Sequence, residues 1–147
     1  MSDKNENLAA DQPQTAGDYA TSKIVGNLIF TAGMTPRIKM KLITTGHLGK
    51  DISVSEGKEL AYHACARAIE VAKQIAEANS KKILEVVSMT VYIATSSDFQ
   101  DHSIVANGAS NAVRDLINTK IPVRAAVGVT SLPSGAPVEV QLIVQTN

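Results

Sequence analysis

Residues 122–144 read Pro122-Val123-Arg124-Ala125-Ala126-Val127-Gly128-Val129-Thr130-Ser131-Leu132-Pro133-Ser134-Gly135-Ala136-Pro137-Val138-Glu139-Val140-Gln141-Leu142-Ile143-Val144. Two apolar runs, Pro122–Val129 and Val138–Val144, flank Leu132-Pro133-Ser134-Gly135, whose Pro and Gly mark a turn. Both runs read as strands. Upstream, Ile104–Ile117 places Val105, Ala109, Ala112, Val113 and Leu116 on one side at helical spacing, with Ser97 or Asp98 as a cap before it. Gly108 weakens this helix, because glycine is about 1 kcal/mol less favourable than alanine in a helix interior. Before the helix, Ile83–Ala94 is β-branched and long enough for a strand. Its faces are Val87, Met89, Val91, Ile93 and Val86, Ser88, Thr90, Tyr92.

Further toward the N-terminus, Ser53-Val54-Ser55-Glu56 matches a capping box and opens a helix to about Asn79. Leu60, Ala64, Ala68, Val71 and Ile75 form its apolar stripe, while Glu59, His63, Arg67, Glu70 and Glu77 are assigned to solvent. Lys23-Ile24-Val25 and Leu28-Ile29-Phe30-Thr31 read as a hairpin about Gly26-Asn27. Arg37, Lys39 and Lys41 alternate with Ile38, Met40 and Leu42, which suggests a strand with a basic face. TTGHLGKD is a loop by its glycines. The expected fold class is α/β (α+β), a mixed β-sheet with two helices packed on one face. The uncovered face would carry Ala126, Gly128, Ser88, Tyr92 and Val86, so a second copy of the chain is expected against it.

Composition narrows function. The chain has 147 residues, so it reads as one domain, residues 17–147, behind a polar flexible tail at residues 1–16. Fourteen basic and fourteen acidic residues give a formal net charge of zero. No broad basic footprint for nucleic acid or anionic membrane results. The five aromatics, Phe30, Phe99, Tyr19, Tyr62 and Tyr92, supply no stacking platform for single-stranded RNA. No run approaches the ~18 apolar residues of a membrane span, and MSDKNENLAADQPQTA has no apolar core of a secretory signal. A cytoplasmic location is expected. The single cysteine, Cys65, excludes a disulfide framework and reads as a small buried hydrophobe. His47, His63 and His102 show no metal-ligand spacing, so no metal is expected. Neither a P-loop nor a GxSxG or GxGxxG motif occurs.

Two residues stand out chemically. Arg124 lies inside an apolar run, and its guanidinium cannot be deprotonated. It is either a structural or strand-end arginine, or a fork for a carboxylate ligand. Glu139 interrupts Val138, Val140 and Leu142. It is either the wet face of an edge strand or a carboxylate that positions water. A hairpin centred between Pro133 and Ser134 would set Glu139 opposite Gly128, about 13 Å from Arg124 at strand rise. A site using both would then span subunits.

The ordered set Gly17-Asp18-Tyr19, Gly26-Asn27-Leu28-Ile29-Phe30-Thr31-Ala32-Gly33-Met34, Val91-Tyr92, Asp98-Phe99, Pro122–Val129, Leu132-Pro133 and Val138-Glu139-Val140 resembles the Rid (YjgF) family, also called endoribonuclease L-PSP. The GHLGKDISVSEG segment and the Ala-rich helix resemble a divergent branch. The resemblance implies a chorismate-mutase-like fold and a homotrimer whose sheets form a central barrel, with ligand sites between subunits. It implies hydrolysis of a 2-imino or enamine acid to a 2-keto acid and ammonia, without a cofactor. By resemblance, Arg124 binds the substrate carboxylate and Glu139 orients the attacking water. Tyr19, the Ala32-Gly33 pair and Asn107 line the pocket. The family's serine is Ala32 here, and its frequent cysteine is Ala126. The expected function is therefore an imine/enamine deaminase acting on a small carboxylate-bearing metabolite. The rivals are a non-catalytic trimer that binds such a metabolite, and an endoribonuclease using the short basic stripe.

Overall fold

The computed structural model describes residues 15–147. The expected tail, residues 1–16, lies outside these except for Thr15 and Ala16. The strands are β1 (Ser22–Val25), β2 (Leu28–Thr31), β3 (Arg37–Ile38), β4 (Lys41–Leu42), β5 (Ile83–Ala94), β6 (Val123–Val129) and β7 (Val138–Thr146). The helices are α1 (Val54–Ala78) and α2 (His102–Leu116), with a 3-10 turn at Pro133–Gly135. Five strands form one mixed sheet in the order β1-β2-β7-β5-β6, in which only β5 and β6 run parallel. Both helices pack on one face of it.

Local chemistry explains most boundaries. Ser53 caps α1, its hydroxyl accepting from the Glu56 N–H at 3.2 Å. Gly26 takes φ +58° in the two-residue turn joining β1 to β2. Leu60, Ala64, Ala68 and Val71 are buried as their spacing requires, and Cys65 is buried with them. Burial pushes the Cys65 thiol up to about 12, so it stays protonated and unreactive. No helix among the described residues is long and apolar enough to cross a membrane.

Five expectations need correction. The Arg37–Leu42 stretch is not one strand. Lys39 and Met40 adopt φ 49° and 68°, a left-handed two-residue turn that folds it into the β3–β4 hairpin. Its basic residues therefore form no stripe. Strands β6 and β7 are not a hairpin either. They flank β5 on opposite sides, with Arg124 level with Met89 and Glu139 level with Tyr92. The faces also differ: Ala126 packs against the helix-side core, and Gly128 lies beneath His102 of α2. A register shift between Val86 and Ser88 inserts an extra residue in β5. Val86 is therefore buried with Met89, Val91 and Ile93, while Val87 is exposed. Finally, neither Ser97 nor Asp98 caps α2. Asp101 precedes its first turn and makes no side-chain cap bond.

Gly108 has a packing reason. A Cβ there would overlap the Lys58 carbonyl of α1, so glycine lets the two helices touch backbone to backbone. Gly108→Ala should therefore destabilise the fold by about 1–3 kcal/mol, the range for overpacking, although alanine favours a helix by about 1 kcal/mol. Urea denaturation at one protein concentration measures this. A more stable Gly108→Ala protein would contradict the close contact.

Candidate functional site

Arg124 leaves β6 on the helix side of the sheet and meets one stripe of α2. Its Nη1 donates to the Asn107 side-chain oxygen at 2.9 Å and to the Ser110 hydroxyl at 3.0 Å. Its Nη2 donates to the Ser103 hydroxyl at 2.9 Å and to the Ser103 carbonyl at 3.3 Å. Ser103, Asn107 and Ser110 follow one another at helical spacing, which is why they face one side chain. All four acceptors are neutral, and Nε makes no bond among the described residues. A permanent positive charge is thus fixed in place with no acid among its partners. It borders an open cleft of about 590 Å³ shared with Gln100, His102 and Gly128. His102 stacks edge-on against Phe99, with ring centroids 5.2 Å apart.

Glu139 occupies a second cavity. Here β2 stops pairing with β7: Phe30 is level with Ile143, and the Leu142 N–H then bonds the Thr31 hydroxyl at 3.0 Å instead of a main-chain oxygen. Pairing resumes at Met34, which exchanges two bonds with Val140 at 2.8 and 2.9 Å. Ala32 and Gly33 bow away between these points, opening space beside Glu139. A Cβ on Gly33 would sit 2.7 Å from the Glu139 carboxyl carbon, so only glycine allows the carboxyl to lie there. The cavity is small, about 50 Å³, and Tyr19, Gly33, Arg37, Arg67 and Glu139 line it. Burial raises the Glu139 pKa above its ordinary value of 4.5.

The structure therefore sorts the expected site residues into two groups. Tyr19, Gly33 and Glu139 come together; Arg124 and Asn107 come together. Ala32 lines neither cavity, and its N–H is taken by the Thr21 carbonyl at 2.8 Å. Within one chain the two groups do not meet. Arg124 shares the face of buried Met89, whereas Glu139 shares the opposite face with Tyr92. Two strand spacings across and three residues along put their backbones about 14 Å apart. Among the described residues no three His, Cys, Asp or Glu side chains gather as a metal site would require.

Arg37 and Arg67 were not among the expected site residues. Arg37 reads as the wet face of a strand, but it turns inward, donating from Nε to the Thr35 hydroxyl at 3.0 Å and from Nη1 to the Met40 carbonyl at 2.8 Å. Arg67 reads as solvent-facing, but it is half-buried and donates to the Thr35 carbonyl at 2.6 Å. A signal for Arg67 was present. It stands three residues after Ala64 and four before Val71, on the border of the buried stripe.

Comparison with known proteins agrees with this architecture. The sequence profile described as Endoribonuclease L-PSP matches residues 9–146. The chain is 33% identical to Protein TCP17 of Trypanosoma cruzi over 141 residues, which is 95% of this chain and 86% of that protein. It is 27% identical to 2-iminobutanoate/2-iminopropanoate deaminase of Escherichia coli over 131 residues, 89% of each chain. The crystal structure of Atu1372 from Agrobacterium tumefaciens, a protein described as of unknown function, superposes with a TM-score of 0.82. It shares 32% identity, over 97% of this chain and 89% of that one. The residues quoted along the chain, the mixed sheet with two helices on one face and the profile match agree: this chain belongs to the endoribonuclease L-PSP family, the YjgF/Rid proteins.

Proposed function

We propose that this protein hydrolyses 2-imino or enamine acids to 2-keto acids and ammonia, at sites formed where copies of the chain meet. The observation that carries the proposal is Arg124: a guanidinium held by neutral oxygens at an open cleft, with charge left for an anionic ligand. A substrate carboxylate takes the Nε–H and displaces the exposed Ser103 from Nη2, making the side-on bidentate pair that arginine favours. Glu139 of a neighbouring copy holds a water against C2. As the water oxygen bonds to C2, Glu139 accepts its proton and passes it to nitrogen. The carbinolamine hydroxyl then gives its proton through Glu139 to the amine, the C–N bond breaks, and ammonia leaves as the keto group forms. An enamine enters this sequence of steps as its imine tautomer, after a proton is added at C3. A carboxylate held above its ordinary pKa suits this two-way proton traffic.

Assembly is part of the proposal. Arg124 and Glu139 lie on opposite faces of one sheet, so a single chain cannot present both to one small molecule. Leu28, Phe30, Val123 and Val127 project exposed apolar surface from the face that no helix covers. A homotrimer closing over that face would bury it. Because β6 is an edge strand, its Arg124 lies at the rim, where Glu139 of a neighbouring copy can approach it. The similarity to the E. coli deaminase supports the chemistry. Two losses, the hydroxyl at Ala32 and the thiol at Ala126, favour a second reading in which the site binds a carboxylate metabolite without turning it over. The endoribonuclease reading loses its basic stripe to the β3–β4 turn.

Arg124→Ala should lower kcat/KM on freshly generated 2-iminobutanoate by about 10- to 100-fold, as expected for losing a charge-assisted pair worth about 1.5–3 kcal/mol. Wild-type rates no faster than buffer would exclude the deaminase, and calorimetry with 2-ketobutyrate would then test the binding reading.

Glu139 makes a prediction in pH. Ionised Glu139 is needed to accept the proton, so the acid limb of the wild-type rate profile should fall above pH 4.5, the ordinary value. Stability carries the opposite sign. The folded state holds this proton more tightly than the unfolded state, so stability declines as pH rises from the ordinary value through the raised one. Glu139→Gln should flatten that decline while suppressing hydrolysis. A Glu139→Gln enzyme with the same pH-stability slope as the wild type would show that Glu139 is not the buried acid responsible.

A further inference from the structure

The cavity beside Glu139 holds two arginines. Arg37 comes from β3 and Arg67 from α1, and both lean on the segment between Thr35 and Met40. Their bonds leave donors unused. Arg37 Nη2 has no partner among the described residues. Arg67 Nε has none, and its Nη2 meets only the Met40 sulfur at 4.0 Å. Every partner is a hydroxyl, a carbonyl or a thioether; none is an acid. Burial, and then the charge of Arg37, push the Arg67 pKa below its ordinary value. Glu139 is the one acid that lines this cavity, and even when ionised it offsets one of the two guanidinium charges. The remaining positive charge in a half-buried space is unfavourable until a second anion joins it.

The size of the space limits that anion. The cavity of about 50 Å³ is smaller than the cleft at Arg124 and has room for a small group such as a carboxylate. We infer that Arg37 and Arg67 form a second anion subsite, and that the imine taken by this protein carries an acidic side chain in addition to its C1 carboxylate. The word imine rests on the function proposed above; the subsite does not. Glu139 lines the same cavity, so a side chain of one or two methylenes sets its carboxylate on the guanidiniums with C2 still beside Glu139. A substrate with a short apolar side chain leaves one of the two charges unmatched.

The test is calorimetric binding of 2-oxoglutarate and 2-ketobutyrate to the full chain in its native assembly. The wild type should bind the dicarboxylate about tenfold more tightly, the effect of one added charge-assisted contact. Arg67→Gln and Arg37→Gln should each reduce the preference to within about twofold, and Arg67→Lys should restore part of it. Equal affinities in the wild type overturn the subsite, and so does a preference that survives in both glutamine variants. Should Arg67→Gln fail to fold, Arg37→Gln decides alone, because Arg37 stands in a two-residue strand outside the main sheet. Hydrolysis assays separate the two ideas. Dicarboxylate preference without turnover of any imine keeps the subsite and removes the deaminase. Turnover of 2-iminobutanoate without the preference does the reverse.

Discussion

A guanidinium fastened by neutral oxygens is the constraint on which the rest depends. Arg124 cannot lose its charge, and Ser103, Asn107 and Ser110 hold it without neutralising it. Those three residues form a polar stripe along α2, and the arginine accounts for it. The helix is in turn positioned by its contact with α1, where Gly108 meets the Lys58 carbonyl. Helix contact, polar stripe and charge thus form one chain of dependence from core packing to chemistry.

The second constraint is the bow in the chain at Ala32-Gly33. Where β2 gives up its ladder with β7, the Thr31 hydroxyl takes over one bond and Met34 restores the pairing. The gap between them makes room for the Glu139 carboxyl and for the two arginines that share its cavity. Low-dielectric surroundings then raise the Glu139 pKa, as burial does for any acid without a compensating partner. Sheet geometry places this group and Arg124 on opposite faces. A ligand touching both would therefore require two chains.

Local signals were legible in the sequence and long-range ones were not. The capping box at Ser53, the turn at Gly26-Asn27 and the span of β5 depend on neighbours in sequence, and each appears where its residues place it. The turn at Leu132–Gly135 was equally clear, but a turn signal does not say which strand lies beside which. Here β5 stands between β6 and β7, so the hairpin register between Arg124 and Glu139 has no counterpart. Alternation misled twice, at the Val86–Ser88 bulge and at Lys39-Met40, because one inserted or left-handed residue reverses every side chain beyond it. Arg124, Glu139 and Gly33 stand out in the sequence through anomaly or resemblance. Arg37 and Arg67 looked like ordinary surface charges, since an arginine at the edge of an apolar stripe reaches either water or the interior with the same backbone.

The most direct measurement is a crystal structure of the protein grown with 2-ketobutyrate. The account expects a closed assembly with the keto acid between chains. Its carboxylate should lie on Arg124 of one copy, and C2 beside Glu139 of the next. A monomer would contradict the account. So would a complex in which Arg124 keeps all four bonds to α2 while the keto acid binds elsewhere.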